Sequence, residues 1–146
     1  MDRQYLAPVD LLTIAAQHAY CAEHLLKQNA EIPVANELTI DALLPVTTLI
    51  HMAFELTLKA YLLHEDGQLR HHKNLSELVE LNAYLGLSRQ ETQLIATLSR
   101  QFGFRKGADY LLWENRQQMQ VFCEQILALY ARVQDMMPVE LQGDYQ

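Results

Sequence analysis

Cysteine, proline and glycine are all scarce here: the 146 residues include two cysteines, four prolines and five glycines. Cys21 and Cys123 belong to no CxxC pair, and both fall in apolar helical pattern. Each is therefore expected to be a small buried thiol in a reducing compartment. So few chain breakers exclude low complexity and leave room for long helices. No uninterrupted apolar run reaches the ~18 residues that span a bilayer. The start, MDRQYLAPVD, lacks the basic and apolar regions of a secretory signal. The expectation is a soluble, cytoplasmic protein.

Positive charge is also short, with 11 Lys and Arg against 18 Asp and Glu and a net charge of −7. That argues against generic binding to nucleic acid, which depends on many phosphate contacts. One stretch runs the other way. Residues 99–107, SRQFGFRKG, carry Arg100, Arg105 and Lys106 with no acid, so a local anion site stays open. Catalytic signatures are missing too: there is no GxSxG, no glycine-rich phosphate loop and no Cys–His pairing in a recognisable context.

What the chain does have is helical periodicity. Half of its residues are hydrophobic, enough for one domain with a real core. A first helix is expected from about Val9 to Gln28, with Pro8 near its start. Its stripe runs through Leu11, Ala15, His18, Ala22 and Leu25, joined by Leu12, Ala19 and Leu26. NAEIPVANELT then reads as a loop. The second helix begins near Asp41 or Pro45 and runs to about His64. Leu49, Ala53, Leu56, Ala60 and Leu63 form its seam, widened by Val46, Ile50, Phe54 and Tyr61, as in a helix covered on most sides. Its polar residues, Thr48, His51, Glu55 and Lys59, fall on one narrow strip.

Asn74 is the expected N-cap of a third helix, LSELVELNAYLG, stopped by Gly86. Ser88 with Glu91 makes a capping-box signature for a fourth helix through about Arg100. The last helix is expected from Tyr110 or Trp113 to Met136, with Met119, Phe122, Cys123, Ile126, Tyr130 and Val133 as its stripe. The fold class is an all-α bundle of four to five up-and-down helices in a single domain, residues 1–146. Its core spans about 9–137, and residues 138–146 form a short polar tail.

Six histidines invite a metal reading. His18, Cys21 and His24 recur every three residues. At about 100° per residue, however, His18 and His24 diverge and cannot share one ion. His64, His71 and His72 gather after the second helix without a carboxylate or Cys at ligand spacing. They read as a solvated loop or as an anion contact. No metal and no cofactor is expected. Glu55 and Lys59 form an i,i+4 pair with the acid first, the favourable order. They read as a structural ion pair or as the polar lining of a cleft.

The segment HMAFELTLKAYLLHEDG followed by HHKNLSELVELN resembles the HEPN superfamily of small helical bundles. Glu55, Lys59 and Ala60 fill its Glu–x–x–x–Lys–Ala core. Gly67 fills its loop, and His72 with Leu75 to Leu81 its following short helix. FRKGADYLLWEN before a last long helix suits the same layout, and the likeness covers roughly residues 9–135. The resemblance implies a homodimeric bundle, in many cases a metal-independent ribonuclease of toxin–antitoxin, antiphage or RNA-processing systems. Such enzymes pair an Arg with a His four to six residues on, near the start of the last helix.

This chain departs from that pattern. After Arg105 those places hold Tyr110, Leu111 and Leu112; after Arg100 they hold Arg105, Lys106 and Gly107. No histidine follows His72. A tyrosine hydroxyl, with a pKa near ~10, replaces imidazole poorly at neutral pH. The expectation is a non-catalytic homodimeric binding or regulatory module. Arg100, Arg105, Lys106 and Tyr110 would line a basic aromatic cleft for RNA, a nucleotide or a phosphorylated ligand. The alternatives are a divergent ribonuclease, using Arg105 with Tyr110, His71 or His72, and a plain bundle whose second or last helix docks a partner protein.

Overall fold

In a computed structural model of the chain, the regular elements among the described residues are all helices. The structure describes residues 7–30, 43–67, 71–101 and 116–136, together with Pro138 and Leu141. Among these lie five α-helices: α1 (Pro8–Ala30), α2 (Leu43–Asp66), α3 (Leu75–Leu81), α4 (Arg89–Gln101) and α5 (Arg116–Asp135). One 3-10 turn, Ala83–Leu85, follows α3. The loop is expected to begin at Asn29, but α1 continues through Ala30. Residues 31–39 of that loop and the expected start of the last helix at Tyr110 or Trp113 lie outside the described residues.

Local chemistry sets most of the helix ends. Pro8 opens α1, where its missing N–H costs nothing, and Asp10 accepts from the Ala7 N–H at 3.2 Å. Pro45 is the third residue of α2, still within the turn whose N–H groups have no intrahelical partner. Asn74 Oδ1 accepts from the Glu77 N–H at 2.9 Å, while Glu77 Oε1 takes the Lys73 N–H at 3.0 Å. At α4 the capping box is reciprocal. Ser88 Oγ accepts from the Glu91 N–H at 3.1 Å, and Glu91 Oε1 from the Ser88 N–H at 2.8 Å.

The expected single helix over 75–86 is corrected: α3 ends at Leu81. Asn82 turns the backbone out of the helix, its N–H reaching Val79 O at 3.0 Å in a tighter turn. Gly86 then closes the 3-10 turn in the left-handed region, φ 64°, where a side chain would be strained.

Packing centres on α2, which touches α1, α3, α4 and α5. Val46, Ile50, Ala53, Phe54, Leu58, Ala60 and Tyr61 are fully enclosed on it. Its expected seam is therefore rotated: Leu49, Leu56 and Leu63 are only half-buried, because α1 and α5 close over the flanking stripe instead. Leu43–Glu65 is long and apolar enough to cross a membrane by length and composition, but most of it is buried inside the bundle. In α1 the deepest residues are Leu12, Ala15, Ala22 and Leu26, with His18 and Leu25 at the margin. The stripe expected on α5 is buried throughout.

Cys123 is buried as expected, but Cys21 is exposed, a correction. Its place in α1 falls one residue before the fully buried Ala22, about 100° further round the helix.

Buried polar groups fix how the helices meet. Thr57 and Tyr130 share a hydroxyl hydrogen bond of 2.9 Å, and the Tyr130 ring meets Phe54 edge-on with centroids 5.3 Å apart. The Tyr61 hydroxyl donates to Val133 O at 2.9 Å. These contacts advance together along both helices, so α2 and α5 run in the same direction.

The first turn of α4 is tied to the last turns of α5 by Arg132, which forks onto both oxygens of Glu91, with Nη2 to Oε1 at 2.7 Å. That guanidinium, with the Ser88 N–H, lowers the Glu91 carboxyl to about 2. A depressed carboxyl contributes stability above its unfolded value of about 4.5 and loses it as pH falls toward 2. Glu91→Gln can still cap α4 but cannot hold the charge. Its acid unfolding between pH 4.5 and 2.5 is expected to be shallower than that of the parent. Denaturant midpoints taken across that interval would test this, and parallel curves would contradict it.

Candidate functional site

The polar strip of α2 is the first place where ionisable groups gather. Residues four apart stack on one helix face, so His51, Glu55 and Lys59 come into line. Lys59 Nζ donates to Glu55 Oε2 at 2.7 Å, and His51 Nδ1 lies 3.8 Å from Glu55 Oε1. Glu55 and Lys59 are each about a quarter exposed, whereas His51 is 7% exposed. Thr48, one turn earlier, turns its hydroxyl back to Leu44 O and extends the strip no further.

This geometry favours a structural ion pair. Glu55 is occupied by its neighbour, and breaking a half-buried pair leaves a charge without compensation.

Burial holds the His51 imidazole below its ordinary 6.5, with Glu55 opposing the shift. Its sign for folding follows. The unfolded chain takes up a proton near pH 6.5 while the folded chain resists, so stability falls as pH drops below that value. His51→Gln keeps a polar side chain and removes the titration. Thermal midpoints measured between pH 7.5 and 5 are expected to decline less in His51→Gln than in the parent.

The other expected residues sit on different elements. His71 is exposed and His72 half-buried in the connection leading to α3. Arg100 is exposed in the last turn of α4, its Nη2 donating to Thr97 Oγ1 at 3.2 Å. Arg105, Lys106 and Tyr110 lie outside the described residues. The structure thus brings together Glu55 and Lys59 with His51.

No group of three His, Cys, Asp or Glu that could hold a metal occurs among the described residues. In α1, His18 Nδ1 is engaged with Ile14 O at 2.8 Å.

A second feature is a groove of about 900 Å³ between α1 and α5. Ala16, Ala19, Tyr20, Glu23 and Lys27 wall it on α1; on α5 the wall runs from Gln120 to Gln134 through Leu127, Ala128 and Ala131. Both walls advance by three or four residues, so each is one face of its helix. Tyr20 is 71% exposed beside it, and Ala128 and Ala131 are open to solvent. The periodicity of α5 marks its buried stripe but carries no signal for this adjoining face, which shares Tyr130 with the stripe, because alanines suit either environment.

Comparison with family models, with curated proteins and with solved structures gave no match.

Proposed function

We propose that this chain is a non-catalytic binding or regulatory module, a HEPN-like homodimer acting in a bacterial defence, stress or toxin–antitoxin setting. The observation that supports binding over chemistry is the α1–α5 groove. It is open and apolar along its floor, and alanine and leucine alternate there with a few charged rim groups. Such a surface offers contact area, with no nucleophile beside a base. The α2 strip is consistent with this reading, since Glu55 is already held by Lys59. Any contact with RNA, a nucleotide or another phosphorylated ligand falls to the cationic stretch that begins at Arg100, which is exposed.

The purified protein is expected to scatter light as a dimer and to leave a panel of single-stranded and structured RNAs intact. It should still retain a phosphate-bearing ligand through Arg100, Arg105 and Lys106. RNA cleavage that disappears in Arg105→Ala would overturn the reading in favour of a ribonuclease, and a monomer at micromolar concentration would remove the homodimer from it.

A further inference from the structure

We infer that the groove between α1 and α5 seats one amphipathic helix of a partner protein, apolar strip downward and lysine or arginine along its edges. The inference rests on the reading of the chain as a binding module. Length is the first argument. The α1 wall covers Ala16 to Lys27 and the α5 wall Gln120 to Gln134. At 1.5 Å per residue these are roughly 16–21 Å long, or three to four helical turns. Depth is the second. Ala16, Ala19, Ala128 and Ala131 contribute only methyl groups, beside the larger Leu26, Leu127 and Tyr130, and such small residues let a third helix approach toward the ~8–10 Å of packed helix pairs.

Charge selects the occupant. The rim carries Glu23 and Glu124 against Lys27, on a chain of net charge −7. Neither Glu23 nor Lys27 makes a hydrogen bond or ion pair with another described residue. A second copy of the chain would bring the same two carboxylates and one amine, and so more repulsion than pairing. A helix with cationic edges meets opposite charge on both walls. Tyr20, largely exposed on the α1 edge, offers a ring face that also favours a cation.

The test uses two synthetic peptides of about 18 residues, long enough to cover the groove. One carries an Ala/Leu face flanked by lysines; the other has the same face flanked by glutamates. Fluorescence anisotropy with the full chain is expected to show saturable binding of the lysine peptide, weakened by salt. The glutamate peptide should bind about tenfold less tightly or worse. Ala128→Trp, which fills the floor from an exposed position, should weaken the lysine peptide by about tenfold or more. Its melting curve should be unchanged, and Ala131→Arg should repeat the loss by a different substitution.

Equal binding of both peptides, no binding of either, or indifference to both substitutions would overturn the proposal. So would conversion of a dimer to a monomer by Ala128→Trp, which would show a second copy in the groove. A changed near-ultraviolet spectrum in Ala131→Arg, which adds no chromophore, measured without peptide, would show that the chain's own residues fill it. RNA cleavage tests the proposed function separately and leaves the peptide titration untouched.

Discussion

Phe54→Ala is expected to lower the unfolding free energy by about 3–5 kcal/mol, the range for emptying a buried phenylalanine site. Phe54 is fully enclosed at the middle of α2, and its ring meets Tyr130 edge-on. Removing the ring deletes apolar burial and that aromatic contact. It also leaves a void beside Tyr130, whose hydroxyl is anchored on Thr57 and cannot swing in to fill it. Against a typical total of about 5–15 kcal/mol, this is a large fraction of the stability. The melting temperature should fall by roughly 10 °C, and Phe54→Leu should fall clearly less. Calorimetry of the three proteins decides the matter. A Phe54→Ala melt within a degree or two of the parent would mean that α2 is not the central helix.

Asn82→Ala should be the next most damaging change, costing about 2–3 kcal/mol through two buried hydrogen bonds and a small void. Its side-chain Nδ2 donates to Leu78 O at 2.9 Å and to Leu58 O at 3.2 Å, so one amide ends α3 and pins it to α2. The loss should be local before it is global. Amide hydrogens of α3 should exchange much faster in the variant, while those of α2 and α5 keep most of their protection. If exchange accelerated evenly over all helices, Asn82 would be an ordinary core residue rather than the bracket between α2 and α3.

The candidate site was only partly legible. The strip of His51, Glu55 and Lys59 follows from a four-residue period, and the ion pair is where that period puts it. The groove was not legible. Its walls belong to α1 and α5, far apart in the chain, and the alanines at 16, 19, 128 and 131 give no sign from composition that they face outward. Cys21 shows the same limit, since an apolar neighbourhood in sequence did not make it buried in space.

What the sequence by itself determined were the interactions that close within one or two turns. The Ser88–Glu91 capping box, the Asn74 cap and the buried stripe of α5 are all of this kind. Each depends on residues three or four apart, whose meeting is fixed by helix geometry alone. Only the tertiary structure decided which side of α2 lies deepest and where α3 stops. It alone joined Thr57 to Tyr130, Leu58 to Asn82 and Glu91 to Arg132. Those partners are 73, 24 and 41 residues apart. No local period encodes such distances; they are set when the apolar faces of several helices compete for one core.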